Sequence, residues 1–164
     1  MGLRPRRGPE RFARLINAAI AARPAAMTAC IHICRGNSAG KWAAEGAYEP
    51  IAEVLLNRLE VDGYFLEYDD ARSGGFEPLR FYPKNSGKKI VLGLVSTKTS
   101  EIEKKDVLKQ RIDAAARYVP LENLCISPQC GFASTYRGNP VTEEVQRRKL
   151  ELVVEVAHDV WGHA

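Results

Sequence analysis

The chain has 164 residues, of which 45% are hydrophobic and 27% are charged, and its mass is 18.2 kDa. This size and composition are typical of one soluble globular domain and exclude a wholly disordered chain. The longest apolar runs have about six residues, far fewer than the roughly 20 that a membrane-spanning helix needs, so no membrane partner is expected. No apolar segment follows the basic start, which excludes a secretory signal, and we expect a cytoplasmic protein.

Positive charge is concentrated at the N-terminus. The net charge is +4, and residues 1–7 include three arginines and no acidic residue. We interpret residues 1–7 as a basic arm and residues 8–164 as a single domain. The arm lacks the interleaved aromatic residues and the motifs that are typical of nucleic-acid binding, so no nucleic-acid partner is expected.

The first half of the chain alternates helices and strands. Apolar residues three and four positions apart predict a helix that begins near Pro9 and ends before Pro24. The run 28–34 then predicts a strand. A second helix is predicted to begin at Pro50, and residues 64–67 predict a second strand.

The second half repeats this order. Residues 90–95 predict a third strand, and a capping box at Ser100 and Glu103 predicts the start of a third helix. Residues 122–127 predict a fourth strand, and a last helix follows over about 142–160.

The four strands are apolar enough to be buried on both faces, which is typical of parallel strands covered by helices. The sequence therefore predicts an α/β fold with four βα units after a leading helix. Four such units fit half of an eight-stranded barrel, which takes about 250 residues when complete. They also fit an open, doubly wound sheet, and the pattern alone does not choose between the two.

Reactive side chains follow three of the predicted strands at their carboxyl ends. His32 and Cys34 end the first strand and share one face of it, because they are two residues apart. Glu67 ends the second strand, and Cys130 follows the fourth. The carboxyl ends of parallel strands carry the active site in such folds. An imidazole, two thiols and a carboxylate suit Zn²⁺, so we predict a zinc site at His32, Cys34, Glu67 and Cys130.

The other two cysteines lie inside predicted strands. We therefore expect Cys30 and Cys125 to be small hydrophobic residues of the core. No two cysteines have the C-x2-C spacing of zinc ribbons or thioredoxin-like motifs, and disulfides are not expected in a reducing compartment. His158 and His163 lie in or after the last helix, where we expect no special role for them.

Several segments resemble the cobalamin-independent methionine synthase family, and most closely its short members that consist of a catalytic domain alone. They are IHICRGN at 31–37, FLEYDD at 65–70, ISPQCGFAST at 126–135 and LELVVEVAHDVWG at 150–162. The resemblance extends over about 8–162. It implies a TIM barrel of which this chain supplies the C-terminal half.

The resemblance also implies a ligand set and a reaction. The family's H-x-C pair, glutamate and distant cysteine fall on His32, Cys34, Glu67 and Cys130, and they imply bound zinc. The implied reaction is methyl transfer from a 5-methylfolate to homocysteine, whose thiol loses its proton on the metal. Because four protein ligands would close the site, we expect Glu67 to yield to the substrate.

Two positions depart from the family pattern. Lys98 stands near the place of the family's histidine acid, although a lysine is a poorer proton donor at neutral pH. A proton donor and a solvated loop residue are equally good interpretations of Lys98. Gln129 replaces the family's aspartate before the last zinc cysteine. The family's groups for the amine and carboxylate of the amino acid lie largely in the other half of the barrel.

Other functions remain open alongside methyl transfer to homocysteine. The same zinc chemistry serves other thiols in the epoxide–coenzyme M transferases, which look related. Alternatively, the half-barrel is inert and needs a partner half-barrel or forms a homo-oligomer, since an open parallel sheet has unpaired edges. A uroporphyrinogen-decarboxylase-like enzyme shares the barrel by resemblance but needs no zinc.

Overall fold

The computed structural model describes residues 7–163 of the chain, with the side chains from residue 8 onward. Apart from the backbone of Arg7, the predicted basic arm lies outside the described residues. Within the described range, the helices are α1 (Arg7–Ile20), α2 (Ala52–Arg58), α3 (Lys105–Ala116) and α4 (Glu143–Trp161). None of these helices is both long and apolar enough to cross a membrane.

The strands are β1 (Cys30–Ile33), β2 (Asn37–Ser38), β3 (Lys41–Trp42), β4 (Gly63–Glu67), β5 (Lys89–Val95) and β6 (Leu124–Pro128). Four of them form one sheet in the order β1-β4-β5-β6, and every neighbouring pair is parallel. Helix α1 precedes β1, and α2, α3 and α4 follow β1, β5 and β6, whereas β4 is followed by two short 3-10 helices (Ala71–Ser73 and Glu77–Phe81). The predicted order of four βα units after a leading helix is therefore found, with 3-10 helices in place of an α-helix in the second unit. The short β2 and β3 form a separate antiparallel hairpin that the sequence analysis did not predict.

The helices cover one face of the sheet and leave the other face partly open. On β4, Tyr64 and Leu66 point to the helices and are buried, whereas Phe65 between them is 36% exposed. His32, which pairs with Phe65 in the register, is also exposed. Side chains alternate between the two faces of a strand, so one face of the sheet is buried and the other is more exposed.

The apolar core therefore lies between the sheet and its helices. Ile90 and Leu92 of β5 are fully buried there, and so are Leu108 and Ile112 of α3. Burial of a side chain of this size contributes about 1.5–3 kcal/mol. This layer holds the carboxyl ends of the strands in register.

Helix α3 begins at Lys105, so the predicted capping box at Ser100 is wrong. Glu103 has another partner: its carboxylate accepts a hydrogen bond from the backbone N–H of Ser96 at 2.8 Å and pairs with the buried ammonium of Lys149 at 2.9 Å. These bonds join the end of β5 to α4. By contrast, the last helix begins as predicted, because the Thr142 side chain accepts from the N–H of Val145.

The prediction that Cys30 is a core residue is also wrong. Cys30 is exposed, and Cys125 is only half-buried. Both side chains point to the face of the sheet that the helices leave open. All four cysteines are free.

Gly93 in β5 allows the chain segments at the carboxyl ends of the strands to approach one another closely. A Cβ atom on Gly93 would lie 3.0 Å from the carbonyl oxygen of Leu66 and 3.1 Å from the Cα of Gln129. Both contacts are with backbone, which cannot rotate away. A larger residue here must therefore push apart β4 and the segment that carries Cys130.

We expect G93A to lower the free energy of unfolding by about 1–3 kcal/mol, the usual cost of overpacking. The matched control is G131A, because a Cβ atom on Gly131 would meet nothing closer than 4.0 Å. Urea unfolding followed by circular dichroism measures both changes. Equal stabilities of G93A and G131A would show that the close approach at Gly93 has no energetic role.

Candidate metal centre

Three of the four predicted ligands lie together at the carboxyl end of the sheet. His32 and Cys34 come from the end of β1, and Cys130 comes from the loop after β6. Their ligand atoms all lie within 4.8 Å of one another, and the Sγ atom of Cys130 is 3.5 Å from the Nε2 atom of His32. Residues that are 98 positions apart in the chain therefore share one site.

This group fits a zinc ion. Bonds of about 2.0–2.1 Å to nitrogen and 2.3 Å to sulfur place the two atoms of a tetrahedral site about 3.6 Å apart. The observed distance from Cys130 to His32 agrees with that value. The group opens on a pocket of about 420 Å³, whose other lining residues are Gly36, Asn37, Gln129, Gly131 and Ser134.

The two thiols influence each other. Burial raises the pKa of the Cys130 thiol to about 12, and the neighbouring Cys34 and the carboxylate of Glu67 contribute to the shift. Two negative charges side by side are unfavourable without a cation between them. A coordinated metal ion reverses this situation, because a coordinating thiol gives up its proton.

Glu67, the fourth predicted ligand, is fully buried and has partners of its own. Its carboxylate accepts a hydrogen bond from the backbone N–H of Arg35 at 2.9 Å and pairs with the guanidinium of Arg72. The ammonium of Lys98 lies 3.3 Å from it. Burial by itself would raise the pKa of Glu67, but these three groups together lower it. Glu67 is therefore an ionised carboxylate held beside the cluster of His32 and the two cysteines.

Arg72 connects Glu67 to the loop that follows β1. Its side chain is fully buried, and its guanidinium donates hydrogen bonds to the carbonyl oxygens of Gly36 and Ala44, both at 3.0 Å. The carboxylate of Asp70 lies 3.5 Å from its Nε atom. Arg72 thus fixes the hairpin loop against the strand that carries Glu67.

Lys98 is buried, so its interpretation as a solvated loop residue is wrong. Its ammonium pairs with Asp69 and lies 3.3 Å from both Asp70 and Glu67. Burial raises the pKa of Asp69, although the bond to Lys98 opposes this shift. Oxygen atoms of Glu67, Asp69 and Asp70 also lie within 4.8 Å of one another. Because Lys98 and Arg72 already neutralise them, these carboxylates form an ion network and are a poor second metal site.

The sequence analysis missed Arg35, Arg72 and the partners of Lys98. One signal was available, since Arg35 directly follows the H-x-C pair and Arg72 follows two aspartates. Gln129 was noted only as a departure from the family. Gln129 is buried at 5% exposure and lines the pocket beside Cys130, and its amide has no hydrogen-bond partner within the described residues.

Comparison with known proteins identifies the family. Residues 25–159 match the family model described as the catalytic domain of cobalamin-independent synthase. The chain belongs to the cobalamin-independent methionine synthase family. Two uncharacterized proteins of Bacillus subtilis (strain 168) are also similar: YxjG is 58% identical over 150 residues and YxjH is 52% identical over 161 residues. These matches cover 92% and 98% of this chain but only 39% and 42% of the two relatives.

Solved structures identify the architecture. A protein from Listeria monocytogenes, described as a candidate vitamin-B12 independent methionine synthase, is 42% identical and superimposes with a TM-score of 0.76 over 99% of this chain. A B12-independent methionine synthase from Shewanella sp. W3-18-1, solved with selenomethionine, shows the same fold at 21% identity and a TM-score of 0.67 over 93% of this chain. The chain spans 44% and 46% of these proteins. The predicted half of a TIM barrel is thus confirmed, and the open doubly wound sheet is excluded.

We expect R72M to lower the free energy of unfolding by about 3–5 kcal/mol, because it leaves the buried carboxylate of Glu67 without its main partner. The control is R80M, which removes an exposed pair with Glu49 and should change stability little. Urea unfolding of the metal-free protein measures both. A stability of R72M close to that of R80M would contradict the importance of the buried pair.

Proposed function

We propose that this chain carries out zinc-dependent methyl transfer to a thiol, with homocysteine as acceptor and a 5-methylfolate as donor. The observation that carries the proposal is the convergence of His32, Cys34 and Cys130 in a chain of this family. The activity is a proposal for this chain, because the chain spans less than half of the length of the relatives that it matches. A cytoplasmic location follows from the same proposal, because cytoplasmic thiols are reduced.

His32, Cys34 and Cys130 would hold the zinc ion, with Glu67 as the fourth ligand. When bound, zinc supplies the Lewis acidity that removes the proton of a substrate thiol and leaves a nucleophilic thiolate. Glu67 shares its charge with Arg72 and Lys98, which makes it the weakest donor of the four. It would therefore be the ligand that a substrate thiol replaces most readily.

The remaining residues of the site bind and orient. Gln129 lines the pocket and its buried amide has no hydrogen-bond partner within the described residues, so we assign it a hydrogen bond to a polar group of the thiol substrate. A neutral amide both donates and accepts, unlike the aspartate of the family pattern. Lys98 is engaged by Asp69 and Asp70, and we assign it the role of holding Glu67 in place instead of donating a proton.

We expect about one zinc ion per chain in the purified, gel-filtered protein, measured by elemental analysis. H32A, C34S and C130S should each lose most of it, because each leaves only two firm ligands beside the weaker Glu67. E67Q should bind zinc more weakly without losing it. The matched control is C125S, which removes a half-buried thiol outside the cluster. Folded wild-type protein without zinc, or loss of zinc in C125S, would contradict the ligand assignment.

We expect zinc-loaded protein to methylate homocysteine from 5-methyltetrahydropteroylglutamate, and Q129L to raise the KM for the thiol while the zinc content stays unchanged. Parallel reactions with 2-mercaptoethanesulfonate as acceptor and an epoxide as alkyl donor test the coenzyme M alternative. Transfer to that thiol alone would overturn homocysteine as substrate. Bound zinc without transfer to either thiol would support the inert half-barrel instead.

A further inference from the structure

We propose that Asn139 is a positioning residue of the candidate metal centre. Its side-chain amide holds the loop that carries Cys130 against the loop after β5, and through Ser134 it also holds the tip of the β2–β3 hairpin. The inference rests on the proposed zinc site, because its functional consequence is the placement of a ligand. The contacts that support it all lie within the described residues.

The amide of Asn139 uses its full hydrogen-bonding capacity. Its Oδ1 atom accepts from the backbone N–H of Ser134 at 3.2 Å and from the Ser134 hydroxyl at 2.7 Å. Its Nδ2 atom donates to the carbonyl oxygens of Thr97 at 2.9 Å and of Gly131 at 3.4 Å. A primary amide has two donors and two acceptor sites, so all four are engaged. The reverse orientation of the amide would set its oxygen against two carbonyl oxygens, so the network determines the orientation.

These bonds hold the chain on both sides of Cys130. On the strand side, the backbone N–H of Gln129 donates to the carbonyl oxygen of Val95 at 2.9 Å. On the loop side, the carbonyl of Gly131 is bonded to the amide of Asn139. Without the second attachment, Cys130 would be held from the strand side alone, and its distance from the other candidate ligands would vary.

The bond to Thr97 connects this loop to the ion network around Glu67. Thr97 is fully buried and directly precedes Lys98. The ammonium of Lys98 lies 3.3 Å from the carboxylate of Glu67. Asn139 therefore connects the segment that carries Cys130 to the segment whose lysine holds Glu67.

The tip of the β2–β3 hairpin contacts both of these loops. Its two turn residues, Ala39 and Gly40, have φ angles of 50° and 82°, as a tight two-residue hairpin turn requires. Such an angle is unfavourable for alanine, and the backbone N–H of Ala39 is held by the Ser134 hydroxyl at 2.9 Å. A Cβ atom on Gly40 would lie 2.9 Å from the carbonyl oxygen of Lys98. The hairpin tip therefore packs directly against the loops that the amide joins.

Several walls of the pocket beside the metal centre thus depend on one amide. Asn37 of the hairpin and Gly131 and Ser134 of the loop after β6 line this pocket together with the three clustered candidate ligands. Ligands that are already held in place lose less conformational freedom when a metal ion binds. We therefore expect the hydrogen bonds of Asn139 to raise the affinity of the site for zinc.

The first test is titration of the metal-free protein with Zn²⁺ in competition with a chelator. N139D and N139L should each bind zinc about tenfold more weakly, as is usual when a group that orients metal ligands is removed. Both variants lose the bonds to Thr97 and Gly131, but only aspartate adds a charge, so a loss common to both reflects the hydrogen bonds. The control is N85D, which makes the same substitution in the exposed turn before β5, and its zinc affinity should not change.

Variants of Ser134 separate positioning from a general loss of stability. S134A removes the hydroxyl that joins Asn139 to Ala39 and should weaken zinc binding by a smaller factor than N139D does. S134T keeps a hydroxyl and should restore the wild-type affinity. Cobalt(II) in place of zinc gives a charge-transfer absorption from thiolate sulfur. This band should lose intensity in N139D and keep it in S134T, whereas stability alone does not alter the spectrum of the bound form.

The spacing of the two thiols can also be measured without zinc, in a C30S/C125S background. Phenylarsine oxide forms two arsenic–sulfur bonds with a pair of adjacent thiols and releases one molecule of water. The Sγ atoms of Cys34 and Cys130 lie within 4.8 Å of each other, so this background should form the doubly bonded product. Adding N139D should raise the concentration of reagent needed several-fold, because the thiols then meet at a lower effective concentration. Intact-mass spectrometry distinguishes the doubly bonded product from the singly bonded one, which retains the water.

The outcomes keep this proposal apart from the proposed function. If the wild-type chain binds zinc, wild-type affinity in both N139D and N139L, or an equal loss in N85D, would overturn the role of Asn139. If the wild-type chain binds no zinc, the proposed function fails, and arsenical binding that N139D leaves unchanged would overturn the role of Asn139. Circular dichroism confirms that each variant is folded, and S134A with S134T supplies the same comparison should N139D not fold.

Discussion

The buried carboxylate of Glu67 is the constraint on which the carboxyl end of this sheet depends. A charge with no exposure to water costs several kcal/mol unless ion pairs and hydrogen bonds compensate it. The compensation comes from Arg35, Arg72 and Lys98, which belong to three different chain segments. Each segment is held in place by its contact with this one carboxylate. The loop after β1, the loop after β5 and the end of β4 therefore form one unit.

This unit also determines what the candidate metal centre can do. Glu67 is shared among several cations, so it donates less charge to a metal ion than a free carboxylate does. His32, Cys34 and Cys130 have no comparable competitors within the described residues. The site as we propose it, with three firm ligands and one weak ligand, is intermediate between a closed structural site and an open catalytic site. With zinc bound, such a site would favour exchange of the weak ligand for a substrate thiol.

Local patterns in the sequence predict much of this fold, and contacts between distant residues account for the errors. Periodicity is sufficient for α1 and α4, whose apolar residues and capping residues are close in the chain. The capping box at Ser100 failed because Glu103 is taken by Lys149, which is 46 residues away. Arg72 was missed for a related reason, since its partners Gly36 and Ala44 lie in a hairpin that no periodic pattern marks. The proximity of His32, Cys34 and Cys130 could be predicted, because parallel topology brings the carboxyl ends of the strands together.

The incorrect prediction for Cys30 has a different cause, and it bears on how the chain functions. An interior position of a parallel strand is buried only if both faces of the sheet are covered. In this chain the helices supply one cover, and the barrel interior that would supply the other is incomplete. His32, a candidate ligand, lies on the same open face. Exclusion of water strengthens electrostatic interactions at a reacting centre. The residues that complete the barrel are therefore also the residues that would enclose the thiol chemistry. Burial of the open sheet face and exclusion of water from the site both require a second half of the barrel.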